Sequence, residues 1–208
     1  REGIVYMQKR PYAKRSAHNW NLISPIFKEM VENKTILDIG ANRGLHCIKA
    51  LEYGSKRVSA FDNNGYQISN LLKIKELYNL EDLLVIHGDF YDEKDYKKLY
   101  NRKYDTVFLF GIIHHLLHLG IQKDILTSFD ELVEKIYDIT NYGIIIEFAM
   151  PGEKYLSLPE LRQFKNNFRM EEFVKAINKY FPNNKYLGKY QYISDNNIEN
   201  YLFCASKQ

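Results

Sequence analysis

Three carboxylates, each set at or just after the end of a short apolar run, are the residues of this chain best suited to chemistry. Asp38 follows Thr35–Leu37, Asp62 follows Val58–Phe61, and Asp89 follows Leu83–His87 and Gly88. After the first of them come Gly40, Asn42 and Gly44, at every second position. Carboxylates at strand ends accept hydrogen bonds from hydroxyls and amines. Small residues let the backbone approach a ligand closely. In this order they form the grip that a parallel α/β sheet puts on an adenosine-containing cofactor, with an acid one strand over accepting both ribose hydroxyls. Asp62 occupies the place of that acid, and Asn63 shares its turn. Asp89 is placed to accept from the exocyclic amine of an adenine, and Phe90 to cover one face of the base. Each feature alone also reads as a tight turn or a strand-end aspartate. Their sequence order is what favours the cofactor.

A fourth apolar run ends in Phe110-Gly111-Ile112-Ile113-His114-His115. Ligands of such sheets bind beyond the carboxyl ends of the strands, so these residues stand beside the reacting centre. An imidazole titrates near working pH. His114, by preference, or His115 could therefore take a proton from an attacking hydroxyl or amine. Both also read as capping or packing residues. Glu147 ends a fifth run and could hold a substrate amine, orient a histidine or form a salt bridge on the rim. His114 and His118 lie four apart, but no carboxylate or thiolate accompanies them at helical spacing, so no metal is expected.

These residues need a scaffold. Apolar runs at Thr35–Ile39, Arg57–Phe61, Leu83–His87, Tyr104–Phe110 and Gly143–Phe148 read as buried strands. Between them, Leu45–Tyr53, Tyr66–Tyr78, Asp92–Tyr100 and Ile121–Thr140 read as helices. That alternation predicts a parallel sheet covered on both faces. Upstream, Ser16 can cap a helix over Ala17–Asn33, with Trp20, Ile23, Phe27, Met30 and Val31 on its apolar face and Pro25 predicting a kink or a break. Downstream, a helix over Met170–Phe181 precedes two strands, Tyr186–Ile193 and Tyr201–Ser206, one of them antiparallel to the rest.

The 208 residues suffice for one good core, and 45% hydrophobic content argues for a folded globule. A formal charge of +3 neither demands nor excludes a nucleic-acid partner. Cys47 and Cys204 make no metal-ligand spacing and read as small buried hydrophobes in a reducing, cytoplasmic setting. The apolar stretch Thr106–Gln122 is too short and too polar to span a bilayer, so no membrane partner is expected.

Together these motifs resemble the class I S-adenosylmethionine-dependent methyltransferases. The resemblance covers Ile36–Phe148 and the two closing strands. It implies a three-layer Rossmann-like fold with a mostly parallel seven-stranded sheet and one antiparallel strand near the C-terminus. It also implies S-adenosyl-L-methionine as cofactor. Asp38, Gly40, Asn42 and Gly44 would wrap its methionine moiety, Asp62 would hold the ribose and Asp89 the adenine, and Phe110–His114 would line the transfer site. Asn42 stands where the family has a glycine, and asparagine is among the side chains that best tolerate positive φ. A nicotinamide dehydrogenase would space its glycines as G-x-G-x-x-G around a pyrophosphate, which Gly40–Gly44 does not.

On this reading residues 1–34 form a basic segment and helical cap. Residues 35–208 form the methyltransferase domain, with a substrate-facing insertion around 151–170. Tyr12, Lys14, Arg15 and Trp20 in the first segment, and Lys154 and Tyr155 in the insertion, would surround an anionic acceptor. Aromatic and basic residues interleave there as in RNA sites. With 17 tyrosines in the chain, however, the interleaving says little, and the small net charge favours a phosphorylated, nucleotide-linked or sugar-like small molecule. The alternatives are tRNA or another RNA as acceptor, and a methyltransferase-like binding protein without activity. The oligomeric state is not legible.

Overall fold

The computed structural model describes residues 11–126, 128–149, 170–191 and 199–207. Within them seven strands form one sheet: β1 (Thr35–Ile39), β2 (Arg57–Asp62), β3 (Leu83–His87), β4 (Tyr104–Phe110), β5 (Thr140–Ala149), β6 (Asn183–Gln191) and β7 (Glu199–Ser206). Their order is β3-β2-β1-β4-β5-β7-β6. β1 to β5 pair in parallel, and β7 runs antiparallel between β5 and β6. The chain winds outward from β1 to β3 and returns to place β4 on the other side of β1. The strand order therefore reverses between β1 and β4, the point at which open α/β sheets bind ligands.

Among the described residues, seven helices cover the sheet: α1 (Pro11–Val31), α2 (Leu45–Glu52), α3 (Gly65–Leu77), α4 (Glu93–Arg102), α5 (Ile113–Gln122), α6 (Phe129–Ile139) and α7 (Met170–Tyr180). Strand periodicity divides the core into two. Leu37 and Ile39 of β1, Val107 and Leu109 of β4, and Ile144, Ile146 and Phe148 of β5 face α4 to α7. Ile36, Phe108 and Ile145, one residue out of step, face α1 to α3. Phe173 of α7 lies flat on Phe148 at 4.4 Å between ring centroids. A fully buried ring of this size contributes about 1.5–3 kcal/mol from burial alone.

Two expected elements differ. The span predicted as one helix, Ile121–Thr140, holds only the last two residues of α5, then a turn, then α6, and its Thr140 begins β5. After Gln122 the chain turns through Asp124 at φ 54°, with the Ile125 and Leu126 N–H groups both bonded to the Gly120 carbonyl. Ser128 then caps α6 by accepting from the Glu131 N–H. The break leaves Ile125 40% exposed and buries Leu126, which a continuous helix through Ile125 would not do. The upstream helix, by contrast, is one element beginning at Pro11, with Ser16 and Pro25 inside it. Ile23 and Phe27, buried on either side of Pro25, hold it against the sheet. Cys47 and Cys204 are both free thiols. No helix among the described residues is long and apolar enough to cross a membrane.

Candidate active site

Beyond the carboxyl ends of β1 and β2 the chain makes a turn that only small residues allow. Gly40, Asn42 and Gly44 have φ of 73°, 50° and 75°. A Cβ on Gly40 would lie 2.9 Å from the Ile112 side chain, and one on Gly44 would lie 2.4 Å from Leu71 Cδ1. The asparagine at position 42 takes the left-handed conformation expected of it. The Gly40 and Ala41 N–H groups donate to the Phe61 carbonyl at 2.8 and 3.2 Å, tying the turn to the end of β2. Gly44→Ala combines positive φ with a clash against a buried leucine. It is expected to cost about 2 kcal/mol or more, read as a lower midpoint in urea unfolding with an unchanged slope.

Asp62 organises this turn. One carboxylate oxygen accepts from the Asn42 N–H and the other from the Asn64 N–H, each at 2.8 Å. Each oxygen retains a lone pair for a further donor. Asn64 in turn caps α3 through the Tyr66 and Gln67 N–H groups, while the Asn63 carbonyl meets His87 Nε2 at 3.1 Å. Asp38 lies on the α2 side of β1 and is 2% exposed. Burial, with the nearby Asp62 charge adding to it, pushes its carboxyl up to about 7 against a donated bond from the Cys47 thiol at 3.2 Å. Burial and the Asp38 carboxyl raise the Cys47 thiol in the same way, so it is not a thiolate.

Asp89 lies beyond β3. Its carboxylate accepts from the Tyr91 N–H at 2.9 Å and meets Lys123 Nζ at 2.6 Å. Partial burial opposes the charged form, but the ammonium and the N–H outweigh it and hold the carboxyl below its usual range. Lys123, in the turn after α5, was not singled out in the sequence because only the fold brings it to Asp89. Phe90 turns inward: it is 4% exposed and edge-on to Tyr91 and Tyr96.

On the β4 side, Phe110 stacks on His46 at 3.6 Å between centroids and 21° between planes. This places the first turn of α2 against the end of β4. His46 is a second residue the sequence did not single out. Gly111, at φ 64°, turns the chain into α5. His114 is 4% exposed, whereas the adjacent His115 is half-buried, with its ring 4.1 Å from that of His114. Burial, then His118, draws His115 below the usual imidazole range, so it is neutral at physiological pH. Glu147 is 1% exposed, in register with Phe110 of β4 and Leu202 of β7.

Tyr12, Lys14 and Arg15 fall in the first turns of α1, but their side chains lie outside the described residues, as do Lys154 and Tyr155. Trp20 packs edge-on against Phe27 and Tyr53 at 4.9 and 5.5 Å, on the apolar face of α1. Among the described residues no group of three or more His, Cys, Asp or Glu is arranged to hold a metal ion.

A seven-stranded sheet with only β7 reversed, a glycine turn after β1, and acids near the end of β1, at the end of β2 and just after β3 define a class I S-adenosylmethionine-dependent methyltransferase fold, and this chain has it. No protein-family model matches the chain. Similar curated proteins include a tRNA U34 carboxymethyltransferase of Nautilia profundicola, 28% identical over 203 residues, which are 90% of this chain and 63% of that protein. Another is a tRNA U34 carboxymethyltransferase of Shewanella amazonensis, 31% identical over 57% of this chain and 36% of its own length. The chain thus spans less than two thirds of these relatives. Among solved structures, the bifunctional kinase-methyltransferase WbdD superposes with a TM-score of 0.68 at 14% identity, over 91% of this chain and 39% of WbdD. A putative methyltransferase, yhhF of Escherichia coli, superposes with a TM-score of 0.53 at 12% identity, over 92% of this chain and 85% of its own.

Proposed function

We propose that this chain is the donor-binding and transfer domain of an S-adenosyl-dependent enzyme that alkylates tRNA. The observation that carries the donor is the Gly40–Gly44 turn, whose two glycines have no room for a Cβ and which is hooked onto the Asp62 carboxylate beside the point where the strand order reverses. These residues fit the cofactor. Gly40, Asn42 and Gly44 would follow its methionine part, Asp38 would face its cationic groups, Asp62 would accept from the ribose hydroxyls and Asp89 from the adenine amine. Freeing Asp89 for the base means loosening its bond to Lys123. Phe90, packed inward, has no part in this reading. When bound, the donor supplies a carbon already activated by its sulfonium. The protein's task is then orientation and exclusion of water.

RNA replaces the small-molecule acceptor that the modest net charge favours. Likeness to tRNA-modifying proteins over 90% of the chain supports this reading, and composition carries less weight than such a likeness. The same likeness favours an active enzyme over an inactive binding domain.

Next to Phe110, His115 is the more accessible of the two imidazoles and is neutral at working pH, so it is the one suited to take a proton from an acceptor. His114, buried in α5, serves the fold. His115→Ala is accordingly expected to lower turnover by about ten- to a hundredfold while leaving donor affinity unchanged, as read by single-turnover assays beside calorimetry.

The test of the acceptor is transfer from labelled donor, carrying either a methyl or a carboxymethyl group, to a tRNA fraction and to a small-metabolite fraction. Label that becomes nuclease-sensitive supports the reading, and the productive donor identifies the group moved. Label confined to nuclease-resistant metabolites would overturn it.

A further inference from the structure

At the opposite end of the sheet from the crevice, the first residues of β1, β2, β3 and β4 surround a cavity of about 440 Å³. We propose that it binds the phosphate group of a nucleotide. Four cations line it: Arg57 at the start of β2, Lys75 of α3, and Arg102 and Lys103 at the end of α4. None of the four is in a salt bridge among the described residues. Glu81 is the acid among the lining residues. The neighbouring Asp105 is turned to the Thr35 N–H and hydroxyl, at 2.8 and 2.9 Å. Positive charge is therefore gathered here with little to neutralise it.

Tyr104 supplies the second, independent observation. It lines the cavity and is 4% exposed, and among the described residues its hydroxyl has no hydrogen-bond partner. A buried hydroxyl is ordinarily satisfied; this one is closed off from the cavity as it stands, and a small shift of the ring would bring it to an oxygen of a bound ligand. Lys103, just before it, holds φ at 45°, a conformation a lysine adopts only under constraint. Lys75 is fixed at the wall by donating to the Leu83 carbonyl at 2.6 Å.

The chemistry of the lining selects the ligand. Two guanidinium forks and two ammonium groups match the several oxygens of a phosphate dianion better than a single carboxylate. Leu83, Leu84 and the Tyr104 ring give an apolar wall for a sugar or base, and the volume lies in the range of small-molecule sites. Nothing here depends on the reading of the crevice at the other end of the strands.

Calorimetric titration with cytidine 5′-monophosphate tests the proposal, since a pyrimidine nucleotide avoids the adenosine site. The wild type is expected to bind one equivalent saturably. Arg57→Gln with Arg102→Gln, both exposed positions, should weaken that binding by about tenfold or more. Tyr104→Phe should weaken it by about two- to fivefold. Affinity for S-adenosylhomocysteine should be unchanged in both variants, and this control separates failure here from failure of the crevice reading. A 5′-phosphorylated RNA oligonucleotide that binds more tightly than the mononucleotide through the same arginines would identify an RNA chain as the source of the phosphate. Equal or weaker binding would identify a free nucleotide. Absence of saturable binding of either ligand up to about 5 mM, well above the range of specific small-molecule sites, would overturn the proposal. So would equal affinity in the wild type and the double arginine variant.

Discussion

Replacing Asp62 by alanine is expected to lower affinity for the S-adenosyl cofactor by about a hundredfold. Two losses combine. The Asn42 and Asn64 N–H groups lose their acceptor, so the glycine turn is no longer fixed to the end of β2. A ribose hydroxyl in the crevice loses a charged acceptor, worth about 1.5–3 kcal/mol. Asp62→Asn keeps one carbonyl oxygen and is expected to fall between the two. A 2′-deoxy analogue of the cofactor separates the contributions. If Asp62 holds the ribose, the analogue binds more weakly than the cofactor to the wild type and equally to Asp62→Ala. Wild-type affinities that are the same for the analogue and the cofactor would leave Asp62 as a loop anchor alone.

The second large effect is on pH. The Asp38 carboxyl has a pKa of about 7 in the folded protein against 3.8 in the unfolded chain. Between these values the folded state holds a proton that the unfolded state has lost, so stability falls as pH rises. The contribution is fully present below about 4 and is lost as pH passes through about 7. Asp38→Asn removes the dependence, so it should gain stability relative to the wild type at pH 8 and match it more closely at pH 4. Cofactor binding runs the other way. A cation brought near Asp38 favours the carboxylate, so binding releases a proton below pH 7. Affinity should rise by about tenfold from pH 5 to pH 7, and Asp38→Asn should flatten that rise. Calorimetry in buffers of differing ionisation enthalpy reads the released proton directly. Equal pH profiles for the two proteins would remove Asp38 from the site.

The scaffold was legible where local signals are strong. β3 and β4 begin and end where their apolar runs do, the latter stopped by Gly111, and Asn42 shows the positive φ that its side chain tolerates. The features that were not legible are tertiary. His46 reaches Phe110, and Lys123 reaches Asp89, across 64 and 34 residues of sequence. No spacing announces such a meeting. The helix break after Gln122 was hidden because Ile125 fits the helical period, although the chain leaves it exposed and buries Leu126 instead. Phe90 follows a strand-end aspartate, and the inward or outward sense of a residue in that turn depends on the Asp89 and Tyr91 bonds rather than on periodicity. Trp20 offered two readings, a substrate-stacking ring and part of the apolar face of α1. Its seven-residue spacing from Phe27 is the one its edge-on packing follows.

The central claim is that the crevice between β1 and β4 is an S-adenosyl site. Residue-resolved amide chemical shifts during titration with S-adenosylhomocysteine test it most directly. The account predicts saturable shifts at Gly40, Gly44, Asp62 and Asp89, with Arg57, Arg102 and Tyr104 at the far edge undisturbed. Saturable shifts confined to the far edge, or none at the four crevice residues, would contradict it.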